Sequence, residues 1–255
     1  MTYWIRFLHN ETERFGALEG DEINVHEGDM FDEPLPAGLS VRLEDVTLLT
    51  PTRPTKMIGL WNNFHAAAEK NGWAIPENPL YFIKPPSCYL ASGGTIRRPA
   101  SYEGRVVYEG ELGIVIGRQC TAVTEEEAGD YIFGYTCIND VTALQILNQD
   151  PAFAQWTRAK SFDTFGPFGP AVATDVDPAD LTVKTLLNGR ERQNYPVSDM
   201  IFPPQALVSR ISHDMSLHPG DVIACGTSLG VLPMKPGSTV EIVIEGVGTL
   251  SNTFE

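Results

Sequence analysis

Apolar and polar positions alternate in steps of two from the start of the chain, the spacing of a strand with one face buried. Residues 3–9 read as a strand, Asn10-Glu11-Thr12-Glu13 as a turn, and 14–18 and 22–25 as further strands of a meander. Pro51 and Pro54 cannot sit inside a central strand, which places a linker over 48–56. The chain is thereby divided into a small N-terminal β domain, 1–50, and a main domain, 56–255. In the main domain, 57–60 and 81–84 read as short strands, and 63–70 as a helix closed by Asn71-Gly72 as a left-handed cap. An apolar run over 106–116 reads as one strand, and a second over 131–138 ends just before Asn139-Asp140. Thr124 opens a helix whose Glu127 completes a capping box, so Glu125 and Glu126 read as a solvated first turn. Pro219-Gly220-Asp221 and Pro236-Gly237-Ser238 punctuate strands at 222–225 and 239–244. The expected fold class is α+β, predominantly β.

Composition narrows the setting. With 255 residues, 42% of them hydrophobic and 20% charged, the chain can bury a large core without covalent staples. A net charge of -15 argues against nucleic acid or an anionic membrane as partner, and a small anionic substrate would need local cations. Cys88, Cys120, Cys137 and Cys225 show no CxxC spacing, which favours packed, reduced thiols in a cytoplasm. No apolar stretch has the length of a membrane span and the first residues lack a secretory pattern, so a soluble cytoplasmic protein is expected.

The chemistry centres on acids. Glu109 and Glu111 lie two apart in an apolar run, so strand geometry turns both to one face, and Asp140 ends a second run. Carboxylates leaving water need partners, and oxygen-only ligation favours a hard divalent ion, Mg2+ first. The plain alternative is a pair of solvent-facing acids on a half-exposed strand. Three monodentate carboxylates would leave about three of six octahedral positions open, enough for two substrate oxygens and a water.

Joined to Trp156-Thr157-Arg158-Ala159-Lys160-Ser161-Phe162-Asp163 and Cys225-Gly226-Thr227-Ser228, these acids make the chain resemble the fumarylacetoacetate hydrolase family over residues 56–253. Phe82-Ile83-Lys84-Pro85, Tyr108-Glu109-Gly110-Glu111-Leu112 and Met200-Ile201-Phe202 match as well. The resemblance implies a mixed β-roll or barrel-like domain, usually a homodimer. It also implies that Glu109, Glu111 and Asp140 hold Mg2+, with Mn2+ or Ca2+ as alternatives. Relatives cleave carbon–carbon bonds in acylpyruvates or catalyse decarboxylations and isomerisations of 2-oxo acids.

Further roles follow. Lys160 is a second cation for substrate charge and for a developing enolate. His65 suits a general base, and Glu69, four residues on, shares its helical face and could orient the imidazole. By resemblance this pair activates water, although the usual spacing is three. Thr227 and Gln193 are expected substrate contacts, and Trp61 a flat apolar wall. Relatives often carry Arg and Gln at the positions of Leu144 and Leu147, so a carboxylate clamp is missing here, with Arg105, Arg158 and Lys84 as candidate substitutes.

The first functional expectation is a metal-dependent hydrolase cleaving a C–C bond in an acylpyruvate such as fumarylpyruvate or maleylpyruvate, in catabolism of aromatic compounds. The alternative is a 2-oxo acid decarboxylase, isomerase or tautomerase, and a third reading is a non-catalytic metal-binding β protein. A His65–Glu69 pair meeting above the metal favours hydrolysis. Side chains pointing away favour enolate chemistry without it.

Overall fold

The computed structural model describes residues 1–255, and strands dominate it. A 12-stranded sheet forms the frame. Its main path runs 32–42, 22–29, 12–19, 3–9, 166–173, 132–139, 110–116, 222–224, 57–61 and 80–84. Neighbours along it are antiparallel except for Val222–Ala224 beside Met57–Trp61, which run parallel. The path has two ends, so the sheet stays open and does not close as a barrel. Asp32–Arg42, which the periodicity did not suggest, lies at one end, where Pro34 and Pro36 remove no central ladder bond.

The N-terminal meander is continuous with this sheet, since Tyr3 and Trp4 of Tyr3–His9 pair with Ala173 and Val172 of Gly166–Ala173. A smaller core beneath it gathers Ile5, Phe7, Ile23, Val25, Val41 and Ala171. The linker is anchored to the main body by buried Asp221. Its Oδ1 accepts from the Thr55 amide (2.9 Å) and hydroxyl (2.7 Å), while Oδ2 accepts from Lys56 Nζ (2.5 Å) and the His218 amide (2.9 Å).

A 5-stranded sheet, ordered 190–196, 182–187, 238–244, 248–254 and 95–96, packs over Gly110–Ile116 and Ile132–Asn139. Leu112, Ile114 and Cys137 meet Val183, Ile242 and Leu250 in the main core. Here the apolar character of both central strands is explained, because each is covered on two faces.

The run over 106–116 is not one strand. Val106–Val107 pairs with Thr142–Ala143, whereas Gly110–Ile116 pairs with Ile132–Asn139. Tyr108 and Glu109 lie between the two ladders, and the break is made at Gly110 by side chains far along the chain. The Gly110 N–H donates to Gln193 Oε1 (3.0 Å) and its carbonyl accepts from Thr227 Oγ1 (2.9 Å), so side chains take both backbone groups. A Cβ here would collide with Thr185 Oγ1.

The predicted helix forms as His65–Asn71, and Gly72 closes it in the left-handed conformation (φ 67°), donating to the Ala68 and Glu69 carbonyls. Its first turn has no cap of its own; Asp199 Oδ2 accepts from the Ala66 amide (3.0 Å) instead. The capping box at Thr124 and Glu127 is formed as the sequence predicts. All four cysteines are buried and unpaired, and no helix is long and apolar enough to cross a membrane.

Candidate functional site

The three acids do converge. Glu111 lies within Gly110–Ile116, and Glu109 immediately precedes it. Asp140 follows Ile132–Asn139, with its amide donating to the Glu109 carbonyl (2.9 Å). Oxygens of Glu109, Glu111 and Asp140 all lie within 4.8 Å of one another. Glu111 and Asp140 are fully buried, and the Glu109 side chain is 16% exposed, so the cluster faces outward at one acid.

Hydrogen bonding leaves one vacancy in this set. Glu111 Oε2 accepts from the Gly226 amide (2.8 Å), but buried Oε1 has no partner. A buried carboxylate oxygen without a donor is costly unless a cation takes it. Hard, anionic, oxygen-only donors with one orphaned atom fit a divalent ion.

Two buried lysines offset the acids. Lys160, at the end of Trp156–Lys160, donates to Glu109 Oε2 (2.9 Å), Thr142 Oγ1 (2.7 Å) and Asp140 Oδ2. Lys84 donates to Asp140 Oδ1 (2.6 Å). Burial raises the Asp140 pKa, but the Lys160 and Lys84 ammoniums outweigh it and hold the carboxyl below its ordinary value. For Glu111, burial and then the Asp140 and Glu109 charges push the pKa well above the usual range. Glu109 is raised as well, chiefly by burial, against the pull of Lys160. Burial works against the Lys160 charge, yet Asp140, Glu109 and Glu111 keep its pKa raised.

A cavity of about 590 Å³ opens beside Glu109. Its walls include Leu60, Trp61, Trp73, Leu144, Leu147 and Trp156. The rings form a ladder, with Trp61 5.0 Å from Trp73 and 5.5 Å from Trp156, and Phe82 stacked on Trp156 at 5.8 Å. Lys160 Nζ sits 5.1 Å from the Phe82 ring centre, so the ladder ends on the ammonium.

The other expected residues fall in different places. Trp61 is in the wall. Thr227 lines the cavity, but its hydroxyl is already engaged, donating to Gly110 and accepting from Gln193 Nε2 (2.8 Å). Gln193 is buried behind it, and its Oε1 accepts from Gly110 and from Thr185 Oγ1 (2.8 Å). Its amide therefore braces the loop after Gly226. His65 and Glu69 are both exposed on their helix, share no hydrogen bond, and do not line the cavity, to which Ala67 and Asn71 contribute. Of the candidate cations, Arg105 and Arg158 are exposed and absent from the wall, and Lys84 is committed to Asp140.

Thr142, which periodicity did not single out, donates to Glu109 Oε1 (2.6 Å) and joins Lys160 to the acids. Lys84 carried a readable signal: Phe82 and Lys84 share one face of Leu80–Lys84, and both point inward.

Comparison with known proteins agrees with this geometry. The model of the fumarylacetoacetate (FAA) hydrolase C-terminal domain matches residues 56–255. The chain belongs to the fumarylacetoacetate hydrolase family. A second family model, Rv2993c-like N-terminal, matches residues 4–51. Within this family of enzymes, the mitochondrial oxaloacetate tautomerase FAHD1 of Arabidopsis thaliana is 38% identical, over 79% of this chain and 91% of its own. The 5-carboxymethyl-2-hydroxymuconate delta-isomerase of Mycobacterium smegmatis superposes with a TM-score of 0.92 at 38% identity, covering 100% of this chain and 99% of that one. Maleylpyruvate hydrolase of Sphingobium sp. SYK-6, solved with manganese(II) and pyruvate, superposes at 0.78 with 27% identity and covers 98% of each chain.

Proposed function

We propose that this protein is a divalent-metal-dependent tautomerase or isomerase of 2-oxo acids. The observation that carries this reading is the meeting of Glu111, Asp140 and Lys160 with Glu109, which lines one end of the cavity, without a formed His65–Glu69 pair over it. That arrangement suits stabilisation of an enolate and lacks an assembled water-activating base. Names among its relatives support the same choice, as two of the three described above are a tautomerase and an isomerase.

Glu109, Glu111 and Asp140 would hold Mg2+ or Mn2+, which when bound supplies Lewis acidity for a 2-oxo acid head. Lys160, buried behind Glu109 with its ammonium committed to Glu109, Asp140 and Thr142, supplies fixed positive charge that favours negative charge developing on the substrate without touching it. Lys84 keeps Asp140 ionised and in place. Gln193 and Thr227 hold Gly110, and with it the spacing of the two glutamates. Trp61 and Trp156 exclude water from the reacting carbon.

Hydrolysis is the second reading. It is carried by the position of His65 on the same short helix that lends Ala67 and Asn71 to the wall, and by the maleylpyruvate hydrolase relative. It requires that helix to bring His65 over the cavity.

The test is to load the protein with Mg2+ or Mn2+, supply a panel of 2-oxo acids and acylpyruvates, and follow enol absorbance, deuterium uptake at C3 and products. Tautomer or isomer interconversion without fragmentation is expected. Pyruvate plus a free acid would replace this reading with hydrolysis, and CO2 with decarboxylation. No reaction with any of the panel would reject the enzyme assignment.

A further inference from the structure

Charge in the cavity wall is one-sided. Glu109 is its single charged lining residue, and no Lys, Arg or His reaches the surface of the cavity. Polar lining away from Glu109 is neutral, consisting of Asn62, Asn71, Asn148, Thr227 and Ser228. Three of the four tryptophans in the chain, Trp61, Trp73 and Trp156, stand together on one wall with Leu144 and Leu147. Trp73 carries that apolar wall out to an exposed rim.

We infer that the substrate is a 2-oxo acid whose distal group is apolar, aromatic or alkyl, and not a second carboxylate. The inference rests on the enolisation reading above for the head of the substrate and adds the identity of its tail. With the head anchored beside Glu109, the substituent on C3 projects among the tryptophans and leucines. A carboxylate there would leave water without a counter-ion, inside a chain whose net charge is already -15. A phenyl or branched alkyl group meets ring faces and methyl groups, and about 590 Å³ lies within the range of small-molecule pockets.

Phenylpyruvate and oxaloacetate share one head and differ only in phenyl against carboxylate on C3, which makes them the probes. On the Mn2+-loaded full-length protein, kcat/KM for enol–keto conversion should favour phenylpyruvate by about a hundredfold. Phenylpyruvate should also quench the tryptophan emission at concentrations where oxaloacetate does not. Leu144→Arg puts a guanidinium in the wall, and Trp73→Arg puts one at the exposed rim, where folding is least disturbed. Either should move the preference at least about tenfold toward oxaloacetate. Faster turnover of oxaloacetate by the unaltered protein overturns the inference and leaves the enolisation reading standing. Turnover of neither acid, with quenching by phenylpyruvate alone, supports the inference while removing the enolisation reading. Equal turnover and equal quenching by both acids overturn the inference.

Discussion

Lys84 holds Lys160 by its backbone: the Lys84 ammonium donates to the Lys160 carbonyl at 2.5 Å, at the end of the short helix Trp156–Lys160. A cation at this end of a helix opposes the partial negative charge of the terminal carbonyls. Because Lys84 also donates to Asp140, one buried side chain fixes both the backbone that carries Lys160 and the acid that Lys160 serves. Lys84→Met should lower stability by about 3–5 kcal/mol, the range for breaking a buried ion pair. Chemical denaturation would measure it. A change below about 1 kcal/mol would show that Asp140 finds another partner.

Replacing Lys160 tests charge stabilisation directly. Lys160→Met should reduce kcat by about 100- to 1000-fold, with a smaller effect on KM, since the ammonium acts most strongly on charge that appears during reaction. Steady-state kinetics on the metal-loaded variant would separate the two. An unchanged kcat with a raised KM would make Lys160 a binding residue only.

Metal binding should release protons. The Glu111 carboxyl, pushed up by burial and by Asp140 and Glu109, keeps its proton above the usual glutamate value near 4.5, and Glu109 shifts the same way. An ion must displace that proton, so affinity falls as pH is lowered and begins to fall above the ordinary carboxylate range. Calorimetric titration in two buffers of different ionisation enthalpy would count the protons. Affinity independent of pH across the acidic range would contradict the assigned shifts.

Gly110→Ala should cost about 1–3 kcal/mol and most of the activity, because an added methyl collides with Thr185 and forces Glu109 and Glu111 apart. Thermal melting paired with metal titration would check it. Retained metal affinity would show that the strand can shift without moving its acids.

Asp221→Ala should destabilise by about 3–5 kcal/mol, leaving the Lys56 ammonium half-buried without its partner and the Thr55 amide without an acceptor. Activity measured well below the melting temperature should persist, since Asp221 touches neither the acids nor the cavity. Loss of activity with unchanged stability would instead tie the linker to the site.

Much of the site was written locally. Glu109 and Glu111 lie two apart, and Asp140 ends the partner strand, so antiparallel pairing brings all three together. The left-handed Gly72 cap and the Thr124 capping box are equally local. What escaped depends on neighbours far along the chain. The break at Gly110 is made by Gln193 and Thr227, more than eighty residues away. Thr142, on a short strand, acquires its role only when Lys160 arrives from the helix Trp156–Lys160. Spacing placed His65 and Glu69 on one helical face, which they share, but it carried no information on whether that face meets the cavity. The strand Asp32–Arg42 was concealed by prolines that only a sheet edge tolerates.

The pairing of Tyr3 and Trp4 with Val172 and Ala173 gives the first fifty residues a protective duty. They occupy backbone donors and acceptors that would otherwise be open to another copy of the chain, and they roof Ala171 with Ile5 and Phe7. A truncated protein beginning at Lys56 should accordingly self-associate through this bared strand, even with every acid and lysine of the cluster intact.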